Sequence, residues 1–220
     1  MSKPGEVREG VEVFSRARLA VLASGAGSNL RALIEASRAS DYPAEVVSVT
    51  TDRPGVGALD IADEEGIVSR TCVLGDYPDR AAWDEDLARI LAEDRPDLVV
   101  SAGFLKLLGP AVLGEFPGRI INTHNSLLPA FPGIHGPRDA LEYGVKIAGA
   151  TVFVVDPGED TGVILSQVAV PVEDDDNEES LLNRIQVAER VQLVDTIGVM
   201  FRQGWTVRGR RAYFGSALSK

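Results

Sequence analysis

The residue types best suited to proton chemistry gather in one stretch, Asn122-Thr123-His124 followed by 126–133 (SLLPAFPG). His124 is one of two histidines in the chain, so a side chain able to give and take a proton near neutral pH has few other places to be. Segments 97–102 (DLVVSA) and 119–123 (RIINT) read as two buried strands of a parallel sheet. Ligands of such sheets bind outside the carboxyl ends of the strands, which is where His124 falls. A histidine after a strand is also a common hydrogen-bonded structural residue, so the neighbouring motifs must decide between the two readings. The other histidine, His135, lies in a Pro/Gly-rich loop, where it either orders the wall of a site, touches substrate, or serves the loop alone.

The elements that would position these residues alternate along the first two thirds of the chain. Strand patterns at 19–23, 46–50 and 67–73 are separated by helical stretches from Asn29 and over 56–65, the signature of βαβ units. Pro78 and Asp79 open an amphipathic helix to Glu93, with Trp83, Leu87, Ile90 and Leu91 at helical spacing as core. Pro110 starts a short helix up to Glu115. Beyond Gly144 the pattern changes. Segments 146–156 (KIAGATVFVVD) and 163–172 (VILSQVAVPV) are long strand patterns joined by 157–162 (PGEDTG), and so short a link favours an antiparallel pair and a mixed sheet. Apolar residues from Leu181 to Phe201 fit one long helix over 177–203 ended by Gly204, and 205–213 reads as a hairpin. The division expected is a mobile leader 1–17, one α/β domain 18–213 and a tail 214–220.

With 220 residues and 45% hydrophobic content the chain can bury one sizeable core. No apolar run approaches the roughly 18 residues of a membrane span, and the first residues lack the apolar centre of a signal peptide, so a cytoplasmic protein is expected. The single cysteine, Cys72, reads as a small buried apolar side chain. A net charge of −11 argues against nonspecific binding to nucleic acid or anionic membrane. An anionic ligand would need local positive charge, for which Arg80, Lys106, Arg138, Arg184 and Arg190 are candidates. The acidic run 173–179 (EDDDNEE) is most simply a solvated loop, since it lacks the glycine and spacing of a calcium loop, and no metal is expected.

Ser24-Gly25-Ala26-Gly27-Ser28-Asn29 lies between the first strand and first helix, where bare amides attract phosphate. The third glycine of a dinucleotide fingerprint would fall at Leu30, so a single phosphate suits this loop better than a pyrophosphate. A tight turn capped by Ser28 explains the same residues; the position at the sheet edge tips the reading towards a ligand.

In order and spacing, SGAGSN, AGFLKLLGP, INTHNSLLPAFPGIH, DPGEDTG and the pair Gln186 and Glu189 resemble the folate-dependent glycinamide ribonucleotide formyltransferases of purine biosynthesis, from about Arg18 to Tyr213. The resemblance implies a Rossmann-like, mostly parallel sheet with helices on both faces and a mixed carboxy-terminal part. It implies transfer of a formyl group from 10-formyltetrahydrofolate, as co-substrate, to the amine of glycinamide ribonucleotide, with Asn122, His124 and Asp160 as the catalytic trio. It further implies that Gly27, Ser28 and Asn29 hold the ribonucleotide phosphate while Gln186 and Glu189 meet its ribose and glycinamide part. The folate would lie along Leu105, Lys106, Leu107 and Leu108, with Arg80 near it, Asn122 beside it, and Asp156, Glu159 and Asp160 by its pterin; Lys106 is then free to face the folate's acidic tail. On pattern alone Glu189 is an ordinary exposed helix residue. A homodimer paired through early helices is a fair expectation.

The chemistry asks for such a trio on its own terms. An amine attacking a formyl group creates a tetrahedral carbon with a developing negative oxygen, which Asn122 and protonated His124 would stabilise as donors. A nearby Asp160 would orient the ring and raise its pKa, and His124 would act as general acid as the folate nitrogen departs. Asp160 could instead bond its own turn amides. Two residues depart from the pattern of many relatives: Asn125 stands where they carry a proline, and Phe153 where they carry a histidine. Formyltetrahydrofolate hydrolases and methionyl-tRNA formyltransferases usually carry an extra domain for which the chain leaves no room, while sugar-nucleotide formyltransferases or a silent folate- or nucleotide-binding protein remain rivals.

Overall fold

Apolar residues alternate through β1 (Ala17–Ala23) so that Leu19, Val21 and Ala23 face one side of the sheet and Ala20 and Leu22 the other, as the twofold period of a strand requires. This chain is described over residues 16–215 of a computed structural model; most of the expected leader and tail lie outside the described residues, and β1 begins at Ala17, one residue inside the expected leader. Around β1 the chain builds a seven-stranded sheet in the order β3-β2-β1-β4-β5-β6-β7. Its strands are β2 (Ala44–Thr51), β3 (Val68–Thr71), β4 (Leu98–Ser101), β5 (Ile120–His124), β6 (Ile147–Val154) and β7 (Ile164–Pro171). β1 to β5 pair in parallel, whereas β6 and β7 run antiparallel to their neighbours. The mixed α/β architecture expected from the alternation is the one observed.

Helices cover both faces. On one, α1 (Ser28–Ser37), α2 (Gly57–Glu64) and the long α6 (Glu178–Gln203) pack Leu30, Leu33, Ile61, Leu193 and Ile197 against β1, β4 and β6. On the other, α3 (Arg80–Glu93) and α4 (Pro110–Glu115) bury Trp83, Leu87, Leu91 and Val112 against Ala20, Leu22 and Val99. A third cluster joins α5 (Gly136–Tyr143) to β6 and the start of α6 through Ala140, Ala150, Leu181 and Ile185. α5 is not apparent in the sequence: GPRDALEY is only eight residues long and opens on Gly-Pro, so it reads as part of the Pro/Gly-rich loop before it. A two-stranded sheet, β8 (Trp205–Arg208) with β9 (Arg211–Phe214), follows α6 as the expected hairpin. Among the described residues no helix is long and apolar enough to cross a membrane.

Two features point the fold at a single edge. The chain leaves β1 to build β2 and β3 on one side and returns to add β4 and β5 on the other, so the carboxyl ends of β1 and β4 flank the topological switch point where α/β sheets bind ligands. The loops there are tied together, Ser24 N–H donating to the Gly103 carbonyl at 3.1 Å. The β4–α4 connection is fixed at its far end by Asp84 of α3, a buried carboxylate that accepts from Gly109 N and Ala111 N, each at 2.7 Å. These amides belong to the first turn of α4, where no intrahelical acceptor exists.

Removing that acceptor leaves polar groups unpaired in the interior. Asp84→Ala is expected to lower the unfolding free energy by about 2 kcal/mol, read as a shift of the urea midpoint at unchanged slope. A midpoint equal to the parent's would mean that water replaces the carboxylate without cost.

Candidate active site

β5 ends at the switch-point edge and projects Asn122 and His124 to one face of the sheet and Thr123 to the other. His124 is buried, and both of its ring nitrogens meet acceptors. Nε2 lies 2.9 Å from the Phe131 carbonyl, and Nδ1 lies 3.6 Å from Asp160 Oδ2. A carbonyl only accepts, so it holds a proton on Nε2 and leaves Nδ1 as the nitrogen whose proton can move. At 3.6 Å the Asp160 contact is longer than a hydrogen bond, which leaves room for another group at Nδ1. The carboxylate is fixed independently, since Oδ2 accepts from Gly133 N at 2.8 Å. Phe131 and Asp160 both adopt positive φ, 53° in each case. That region is uncommon for side-chain-bearing residues, and here both instances flank the histidine.

The 125–133 loop carrying the Phe131 carbonyl is stapled to the antiparallel strands. Thr151 of β6 donates to the Ser126 carbonyl at 2.7 Å and accepts from Leu128 N at 3.0 Å. Gln167 of β7 donates to the Leu128 carbonyl at 2.8 Å and to Thr151 Oγ1 at 3.1 Å. Neither residue stands out in the sequence; the only signal is a hydroxyl inside the otherwise apolar AGATVFVV run.

Asn122, His124 and Asp160 line a cleft of about 250 Å³ whose other walls are residues 103–108, Gly133, Ile134, Phe153, Val155 and Glu159. The structure thus brings together Asn122, His124, Asp160, Glu159, Leu105, Lys106, Leu107 and Leu108 from the expected site. Phe153 is the cross-strand neighbour of Asn122 and closes the floor. Arg80 does not line the cleft; it reaches the connection from α3 by donating to the Leu107 carbonyl, its guanidinium over Trp83. Asp156 also stands back, shaping its loop by accepting from Gly158 N and Thr161 Oγ1. His135 occupies the N-cap position of α5, exposed and without a side-chain cap bond. Asn125, beside the histidine, has a buried Oδ1 with no hydrogen-bond partner.

Several expectations are corrected. Lys106 is not free: its ammonium lies 3.4 Å from the buried carboxylate of Asp52. Ser28 does not cap α1; Gly27 holds the cap position at φ 77° and no side chain caps the helix. A β-carbon at Gly27 would sit 2.9 Å from the Ala58 backbone, so close packing on α2 demands glycine there. Glu189 is not an exposed helix residue. It is 4% exposed, accepts from Asn29 Nδ2 at 2.9 Å and is hydrogen-bonded by Thr123 from the opposite face of β5. The first turn of α1, α6 and β5 therefore meet at one carboxylate, with half-buried Gln186 one turn earlier on α6. The acidic run is only partly a solvated loop, because the side chain of half-buried Asp176 is turned inward and holds Arg184, which also donates to the Pro171 carbonyl. Among the described residues no cluster of His, Cys, Asp and Glu could hold a metal ion.

Burial pushes the Glu189 carboxyl above the ordinary glutamate value, against the hydrogen bonds of Thr123 and Asn29 and the charges of Arg190 and His124. The folded protein therefore binds that proton more tightly than the unfolded chain. The linked stability is complete below the unfolded glutamate value and is lost as pH rises through the folded one. Glu189→Gln, which cannot ionise, is expected to melt above the parent at mildly alkaline pH, with the gap closing as the medium is made acidic. A variant melting below the parent in alkali would show that the ionised carboxylate is net stabilising.

Comparison with known proteins places this geometry. A model of the formyl transferase family matches residues 17–197. A phosphoribosylglycinamide formyltransferase of Mycobacterium tuberculosis is 53% identical over 203 residues, spanning 92% of this chain and 94% of that protein. The phosphoribosylglycinamide formyltransferase of Escherichia coli is 36% identical, over 78% of this chain and 81% of that one. The crystal structure of glycinamide ribonucleotide transformylase 1 from Symbiobacterium toebii superposes with a TM-score of 0.91 at 37% identity, covering 97% of this chain and all of that one.

Proposed function

The chain belongs to the formyl transferase family and is an enzyme of the phosphoribosylglycinamide formyltransferase kind, and on that premise we propose that it moves the formyl group of 10-formyltetrahydrofolate to the amine of glycinamide ribonucleotide by direct attack, with Asn122, His124 and Asp160 as the catalytic groups. The observation that carries this reading is the suspension of the His124 ring between the Phe131 carbonyl and Asp160 inside the cleft that also holds Asn122.

In the step proposed, the lone pair of the ribonucleotide amine forms a bond to the formyl carbon and the carbonyl π pair moves to oxygen. Asn122 Nδ2 and the proton on His124 Nδ1 meet that oxygen, and donors aimed at developing charge stabilise it without reorganisation. The carbonyl then re-forms, the bond to N10 of the folate breaks, and N10 receives the Nδ1 proton while the attacking amine passes its own through water to the emptied Nδ1. Asp160 balances the charge of the imidazolium and aims Nδ1 into the cleft. Nε2 keeps its proton throughout on the Phe131 carbonyl.

The two substrates would enter from opposite sides of β5. The uncapped first-turn amides of α1, with Gly27, Ser28 and Asn29, offer a site for a phosphate, and Glu189 and Gln186 then face the ribose and glycinamide. On the other side Leu105 and Leu107 supply apolar walls, and the backbone groups of 105–108 can read the edge of a heterocycle, with Glu159 in the wall beside them and Arg80 and Asp156 holding the surrounding segments.

Turnover followed by absorbance of the folate product is expected to require glycinamide ribonucleotide. His124→Ala should lower kcat by about 10²- to 10³-fold with both KM values little changed, and Asn122→Ala should fall in the same range. Product formed without the ribonucleotide would make the enzyme a hydrolase, and a His124→Ala variant of parental kcat would remove the histidine from the chemistry.

A further inference from the structure

Residues 102–109, between β4 and α4, contain no regular secondary structure, yet 103–108 form a whole wall of the cleft. Phe104 and Leu108 anchor the wall in the core, Phe104 stacked on Trp83, but Leu105 and Leu107 are each 59% exposed. The exposed part between them is held by polar ties. The far end rests on Asp84, and the near end converges on a residue outside the cleft, Asp52.

Asp52 follows β2, two strands from β4, and its side chain is 1% exposed. Leu105 N–H donates to Ser24 Oγ at 2.9 Å, and the Ser24 hydroxyl in turn hydrogen-bonds the Asp52 carboxylate. The next residue, Lys106, brings its ammonium to 3.4 Å from Asp52 Oδ2, and Arg53 approaches the same oxygen at 3.2 Å. Burial pushes this carboxyl up, but Ser24, Arg53 and Lys106 more than reverse it and hold it below the usual carboxylate range. A charge kept ionised in the interior must be paired; here Arg53 pairs it from the next position in the chain, while Lys106 reaches it from the cleft wall and Ser24 links it to Leu105.

We propose that Asp52 is a positioning residue of the formyl-donor site: it straps the consecutive residues Leu105 and Lys106, presenting the backbone groups of 105–108 to the donor's heterocycle, and Lys106 works as the strap and not as a reader of the donor's anionic tail. This rests on the reading of the cleft as the donor site. A loop already ordered before binding spares the ligand the cost of ordering it, so the strap acts on donor affinity and leaves the His124 chemistry alone.

The test uses Asp52→Asn, which keeps an acceptor for Ser24 but loses the charge facing Lys106, together with Lys106→Met and the double variant. Each is assayed with 10-formyltetrahydrofolate and with 10-formyltetrahydropteroate, the donor cut before its glutamate. Each single change should raise donor KM about 10-fold for both donors, with kcat and ribonucleotide KM within about 3-fold of the parent. The double variant should be no worse than the weaker single, as expected for one shared contact. A rise confined to the glutamate-bearing donor would assign Lys106 to the tail and overturn the proposal, as would an unchanged donor KM or an equal rise for both substrates. Amide hydrogen exchange over 103–109 provides a readout independent of turnover: it should quicken in Asp52→Asn, and parental exchange there refutes the strap. A parent protein without formyl transfer would defeat the functional reading, and exchange alone would then decide the strap.

Discussion

The His124 ring is gripped from two sides by acceptors, and neither belongs to its own strand. The Phe131 carbonyl arrives on the loop that follows β5, and the Asp160 carboxylate on the loop between β6 and β7. Both positions depend on the antiparallel pairing of β6 with β5, which sets Thr151 opposite His124 and Phe153 opposite Asn122. Thr151 pins the first loop by its hydroxyl, and β6 delivers the second loop to the same edge. A slip of one residue would turn Thr151 to the other face and release the loop. The reversal of direction at β6 is thus what allows a parallel switch-point crevice to acquire a carboxylate partner for its histidine.

The same edge gathers several buried polar side chains that tie elements together. Ser24, Asp52, Asp84, Thr151 and Glu189 each hold a backbone amide or a side chain from a different element. The apolar clusters give the sheet its cohesion, while these contacts fix where the loops lie relative to one another, because a buried polar group without its partner is costly and each contact has defined geometry. Asn125 is the exception next to the histidine. Its unpaired Oδ1 costs about 1–3 kcal/mol on general grounds, and nothing in the structure explains the asparagine there. Phe153 has a plainer account: it fills the floor beneath Asn122, closing the cleft with an apolar ring.

Much of this was legible in the linear chain. The alternation of strands and helices, the reversal after Gly144, the length of α6 up to Gly204, and the closing hairpin all follow from local periodicity and from breaker and turn residues that act within a few positions. Asn122, His124 and Asp160 were assigned through the family resemblance of short motifs in order, and Gly27 to Asn29 stood out at a strand-to-helix turn. α5 escaped because an eight-residue helix that opens on Gly-Pro looks like a continuation of the Pro/Gly-rich loop before it.

What only the tertiary structure decided is which distant groups meet. Lys106 and Asp52 are each unremarkable in sequence; they pair because β1 places the ends of β2 and β4 on either side of it. Glu189 has the pattern of a surface residue until α6 crosses the sheet over α1 and β5, where Asn29 and Thr123 close around it. The Phe131 carbonyl, which selects the histidine nitrogen free to exchange a proton, is a backbone atom that side-chain chemistry could not have flagged. Local patterns fix elements and their order because their interactions span a few residues. Charge states, partners and the aim of a side chain depend on strand register and helix placement, which are set by contacts between residues far apart in the chain.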